Sequence, residues 1–275
     1  MPVQQRREGA VAVLTLDRPP VNALSHPLRE QLWRALEAAD ADPAVRAIVL
    51  AAGGKGFCGG GELGELRSPL QQAWPGISDH LLPRIEACRK PVIAALHGFA
   101  VGGGLELALA CHFRVARRDT RLALPEIRHG VVPPSGSQRM PRAVGVDRAL
   151  DMIVFARYEL AGAFDGTALF DRLCDGDPVD CAMALAAQLD PGAVPAAALL
   201  RHRPLVRAEG EASVAAWRKR LGAMPQASAL TRSCVDAVEH AVLAPSFDDG
   251  LRAAKRLHDD LANRAMRAAV SGPQP

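Results

Sequence analysis

The chain has 275 residues with a formal net charge of +3, 49% hydrophobic and 23% charged, enough for a large buried core as one domain with an appendage or as two small domains. That balance is ordinary for a globular protein, and 7 Phe, 3 Trp and 1 Tyr against abundant Ala, Leu and Val predict many helices and thin aliphatic strands. The small charge, with no run of like charges and no aromatic-basic alternation, argues against a nucleic-acid partner, while mildly basic ground suits an anionic ligand.

In chain order, "AVAVLTLDRPPVNAL" alternates apolar residues and stops at Pro19 and Pro20, which predicts a strand ending in a turn. Ser25 with Pro27 behind it marks a helix start, and Leu28, Leu32, Trp33, Ala35 and Leu36 recur at helical spacing. The apolar run Val45 to Ala52 reads as a buried strand. The glycine-rich "GGKGFCGGGELGEL" follows, then a helical region broken by Pro75 and Pro83. The pattern then repeats: "PVIAAL" as a second buried strand, "HGFAVGGG" as a second glycine turn, "LELALA" as a second helix. The two modules lie about 45 residues apart. "FRVA" and "RLAL" are short strands before Pro125 and Glu126, and from Val146 onward the chain reads as mostly helical. "ALTRSCVDAVEHAVL" and "DDGLRAAKRLHDDLANRAMRAAV" predict amphipathic helices, with a frayed Pro-Gln-Pro at the end.

No stretch reaches the roughly 18 apolar residues of a membrane span, and the N-terminus lacks a secretory pattern. Six cysteines without CxxC or zinc-like spacing suit core positions in a reducing cytoplasm. No metal site is expected: the eight histidines do not cluster as ligands, and His97 and His129 read as packing or loop residues.

Gly59 to Gly64 formally match GxGxxG, but the strand does not run directly into the first glycine, and no strand ends in an acidic residue about 20 positions on. Ser135 and Ser137 do not sit in a GxSxG elbow. Two other readings of the glycine turns stay open. They serve tight turns and close helix packing, or they face each other and offer two backbone N–H donors to one oxygen as an oxyanion hole. Glu106 either complements the macrodipole of its helix or is a functional carboxylate in apolar surroundings. Glu126, directed by Pro125, is a turn residue or the second of two carboxylates for acid and base work.

Taken together, "LDRPPVNAL", "GKGFCGGGELGEL", "KPVIAALHGFAVGGGLELALACHFRVA" and "LALPEIRHGVVPPSGSQRMPRAVG" resemble the crotonase (enoyl-CoA hydratase/isomerase) superfamily in order and spacing. Their wording is most similar to the hydratase region of multifunctional fatty-acid β-oxidation enzymes. The resemblance implies an α/β fold: a spiral of repeated ββα units over residues 1–195 with the acyl-CoA site, and a helical region over 196–275 for contacts in a homotrimer or hexamer. It implies an acyl-CoA thioester substrate and no separate cofactor. Its oxyanion donors fall on the N–H groups of Gly61 and Gly103, with Gly59, Gly60 and Gly102 lining the substrate. Its catalytic carboxylates fall on Glu106, which activates water for attack at C3, and Glu126, which exchanges the proton at C2. Hydration of a 2-enoyl-CoA is the expected reaction; isomerisation, another crotonase-type lyase or hydrolase reaction, or non-catalytic acyl-CoA binding are the alternatives. Three departures stand out. Gly61 replaces the usual alanine. Gly64 stands where relatives often carry a base, so no phosphate anchor is assigned. "VVPPSGSQRM" is one residue short, with Pro134 where glycine is common.

Overall fold

A computed structural model of the chain describes residues 1–65, 68–71, 73–190 and 194–270; the Pro-Gln-Pro end lies outside them. The chain divides into two compact units, Met1–Leu122 with Tyr158–His202, and Ala123–Arg157 with the chain from Arg203 onward. The sequence placed a single boundary at 195/196, whereas these units interleave.

In chain order the elements are β1 (Val3–Glu8), β2 (Val11–Leu16), α1 (His26–Ala41), β3 (Ala47–Ala52), α2 (Leu82–Glu86), β4 (Val92–Leu96), β5 (Phe99–Val101), α3 (Gly103–Ala110), β6 (Phe113–Arg117) and β7 (Arg121–Ala123). There follow α4 (Gly136–Val144), α5 (Val146–Phe155), β8 (Glu159–Leu160), β9 (Arg172–Cys174), α6 (Pro178–Ala186), α7 (Arg207–Gly222), α8 (Ala229–Leu243) and α9 (Phe247–Val270).

In the first unit a six-stranded sheet has the order β1-β2-β3-β4-β6-β9. Only the β1–β2 pair is antiparallel. Val13, Val49, Ile93 and Val115 form one buried face with Ala182 and Leu185 of α6. Leu14, Leu16, Ile48 and Leu50 point the other way by the two-residue alternation of strands and are equally buried, as are Leu28, Leu32 and Leu36 of α1. Burial on both faces explains why β3 and β4 read as unbroken apolar runs. β1 was not foreseen: its "VQQRRE" buries only Val3 and exists by pairing along β2.

β4, β5 and α3 make one complete ββα unit. The stretch after β3 follows the same course as far as Cys58, which bridges to Ala100 of β5. It then departs from it. The helical region expected around Pro75 and Pro83 is a π-turn, Ile77–Leu81, running into α2, and Pro83 opens that helix instead of breaking it.

The second unit is helical. Gln138 of α4 donates to the Ala237 carbonyl of α8 (2.8 Å), and Trp217 of α7 donates to Asp147 of α5 (2.9 Å). Among the described residues, no helix is long and apolar enough to cross a membrane.

Candidate functional site

Two strips of backbone meet in the first unit. The N–H of Val101 donates to the Cys58 carbonyl (3.0 Å), and that of Phe57 to the Phe99 carbonyl (2.9 Å), so the two glycine turns start in register. The approach leaves no room for side chains. A Cβ on Gly104 would lie 2.4 Å from the Cys58 carbonyl oxygen. Gly60 has φ +103°, and a Cβ there would lie 2.9 Å from the Val101 carbonyl oxygen. These two glycines are required by sterics.

The interlock sets Gly61 beside Gly103: the Cβ position of Gly103 is 3.4 Å from the Gly61 nitrogen. Gly103 opens α3, so its N–H is one of the four that a helix start leaves without an intrahelical acceptor. The neighbouring Gly59 N–H is spent on the Val21 carbonyl (2.8 Å), and the Gly60 carbonyl accepts from Leu24 N–H (2.8 Å). Among the described residues, neither Gly61 nor Gly103 donates to a backbone carbonyl. Leu24 and Ile77 border the pair: Leu24 Cδ1 is 3.6 Å from the Gly103 Cβ position, and Ile77 Cδ1 is 3.8 and 3.7 Å from those of Gly61 and Gly103.

Glu106 follows in the first turn of α3, its N–H bonded to the Gly102 carbonyl (2.9 Å), with 4% of the residue exposed. Gly59, Gly60, Gly61, Gly102, Gly103 and Glu106 therefore all belong to the first unit. Glu126 belongs to the second, where it opens the one-turn helix Glu126–His129 behind Pro125 and is half-buried. The buried thiol of Cys234 on α8 is pushed up to about 12 by desolvation, to which the nearby Glu126 charge adds. The short segment behind Glu126 is packed throughout: Val131 to Met140 are all buried, and His258 of α9 bonds the Val132 carbonyl (2.6 Å).

Sequence reading missed two side chains that hold the first turn. Asn22, at φ 54° and 3% exposed, donates to the carbonyls of Gly53 (2.9 Å) and Gly56 (3.0 Å) while its Oδ1 accepts from Arg18 N–H (2.8 Å). Arg29, 2% exposed, pairs with Glu65 at 2.7 Å. A signal for Arg29 was present: a cation falls between Leu28 and Leu32 on the buried stripe of α1. Cys58 is excluded as a nucleophile, because burial pushes its thiol up to about 12 and it donates to the Asn22 carbonyl (3.0 Å). Among the described residues, no group of three His, Cys, Asp or Glu side chains could hold a metal.

The family profile described as enoyl-CoA hydratase/isomerase matches residues 6–173. A peroxisomal bifunctional enzyme of Danio rerio is 40% identical over 178 residues, covering 64% of this chain but 24% of that enzyme, so the chain spans about a quarter of that relative. A Rhizobium meliloti protein named "Probable enoyl-CoA hydratase" is 38% identical over 213 residues, 74% of this chain and 82% of its own length. A crystal structure of an enoyl-CoA hydratase from Mycobacterium paratuberculosis superposes with a TM-score of 0.62 at 32% identity, over 81% of this chain and 96% of that one. The profile spans well over half of the 275 residues, glycine turns included, and the chain belongs to the enoyl-CoA hydratase/isomerase family.

Proposed function

We propose that the chain hydrates the double bond of a 2-enoyl-CoA thioester. The observation that carries this is the pair of neighbouring N–H groups at Gly61 and Gly103, with the buried Glu106 one helical turn beyond them. The thioester carbonyl accepts from both N–H groups, and their contact strengthens as negative charge builds on that oxygen. Glu106 takes a proton from the water that attacks C3, and the C2 position of the resulting enolate is then protonated. Glu126 is the residue assigned to that second transfer. Coenzyme A enters as part of the substrate, and the assigned steps call on no metal or redox group.

The proposal extends to a homotrimer or hexamer, carried by the family resemblance and by the C-terminal helices α7 to α9. A monomer by light scattering at micromolar concentration contradicts that part. Six unpaired thiols suit a reducing compartment, and we place the activity in the cytoplasm although the animal relative is peroxisomal by name.

The experiment is a panel of 2-enoyl-CoAs of increasing chain length, with loss of the conjugated thioester absorbance followed and products identified. Formation of 3-hydroxyacyl-CoA supports hydration. A shifted double bond means isomerisation, and binding without turnover at any chain length removes the enzymatic reading.

A further inference from the structure

A buried guanidinium is costly unless each of its donors finds an acceptor. Arg29 meets that condition in a particular way. Its Nη1 donates to Glu65 Oε2 (2.7 Å) and the Leu24 carbonyl (2.8 Å), its Nη2 to the Leu70 carbonyl (2.7 Å), and its Nε to the Pro75 carbonyl (2.8 Å). Glu65 Oε1 in turn accepts from the His26 N–H (2.8 Å), at the start of the helix that carries Arg29.

These acceptors lie on both sides of Gly61 in the chain. Upstream, Leu24 forms a bridge with Gly61, donates to the Gly60 carbonyl (2.8 Å) and touches the Gly103 position with Cδ1. Downstream, Glu65, Leu70 and Pro75 lead to Ile77, which borders both glycines. One rigid fork thus sets the entry and the exit of a turn that, among the described residues, runs directly into no helix of its own.

We infer that Arg29 is a positioning residue for the first oxyanion turn. Through Leu24 and Glu65 it fixes where the Gly61 N–H points, and so the strength of its contact with the thioester oxygen, without touching substrate. The inference rests on the reading of Gly61 as an oxyanion donor.

A purely structural ion pair gives a different result in a two-step replacement. Arg29→Met leaves Glu65 buried and uncompensated and lowers Tm. Arg29→Met with Glu65→Leu removes both charges and recovers the part of that loss due to the uncompensated carboxylate, while the carbonyls of Leu24, Leu70 and Pro75 stay without their donor. Positioning predicts that the double variant still hydrates crotonyl-CoA at least about tenfold more slowly in kcat, with KM within about threefold, since a small misplacement of a donor acts on the transition state. It also predicts a weaker enolate absorbance from bound acetoacetyl-CoA. Recovery of kcat and of the enolate band together with Tm overturns the inference. Arg29→Lys keeps the charge opposite Glu65 but not the fork; unchanged kcat in that variant overturns it as well. A wild type that hydrates no enoyl-CoA yet polarises acetoacetyl-CoA removes the hydratase reading and leaves Arg29 testable on the enolate band alone.

Discussion

The two glycine turns of the first unit carry similar sequences, "CGGGEL" and "VGGGLEL", and are held by different means. The second runs straight into α3, so the helix itself fixes the Gly103 N–H and Glu106 one turn later. Among the described residues the first runs directly into no helix, and its position depends on Asn22, Leu24 and Arg29, all distant in sequence, with Glu65, four residues beyond Gly61, as the partner of Arg29. A turn backed by a helix is secured locally; a turn without one needs side chains that reach in from other elements. Damage to the second turn is therefore expected to act through sterics within the module, and damage to the first through residues that lie outside it.

The largest effect is expected where the turns interlock. Gly104→Ala puts a Cβ 2.4 Å from the Cys58 carbonyl oxygen, a backbone atom that cannot step aside without moving the other turn. The expected cost is about 3 kcal/mol, the upper part of the usual overpacking range, with hydration lost alongside, as read from denaturant unfolding and rates. A variant of wild-type stability would break the interlock.

An acid effect of similar size belongs to the second module. His112, just after α3, is 1% exposed and its Nδ1 accepts from the Val92 N–H (2.9 Å) at the start of β4. Burial lowers its pKa from 6.5 to about 4. The unfolded chain therefore binds a proton that the folded one refuses between those values. Stability is fully present above pH 6.5 and falls as pH drops toward 4, by up to about 3 kcal/mol at 1.36 kcal/mol per unit. His112→Asn keeps an acceptor for Val92 and should flatten this slope in urea titrations from pH 4 to 7.

The smallest effect sharpens the comparison from the other side. Among the described residues a Cβ at Gly61 would meet only Ile77 Cδ1, at an ordinary 3.8 Å, and alanine fits there without strain. Gly61→Ala should keep hydration within a few-fold and stabilise by about 0.4–1 kcal/mol through the unfolded state. A large loss of activity would mean that the first turn is tighter than its contacts indicate.

Much of this molecule is legible in its sequence. Ser25 and Pro27 mark the start of α1, β3 and β4 appear as apolar runs, and α8 and α9 coincide with their amphipathic stretches. These are local signals of period and punctuation. β1 escapes because its residues are polar and its strand state comes from a partner. The holding roles of Asn22 and Arg29 escape because acceptors 31 to 46 positions away define them. The glycine motifs announce two turns, but not that Gly60 makes room for the Val101 carbonyl and Gly104 for the Cys58 carbonyl. Nor does helical periodicity reveal that the segment carrying Glu126 groups with the C-terminal helices, since that grouping depends on contacts such as Gln138 with Ala237.

The central claim is that Glu106, in the first turn of the helix that Gly103 opens, activates water on an enoyl thioester held by the Gly61 and Gly103 N–H groups. The most direct measurement is the hydration rate of crotonyl-CoA by the wild type and by Glu106→Gln at matched stability. A fall in kcat of about 10² to 10⁴ with KM little changed is the predicted result. Equal rates in the two proteins would contradict it.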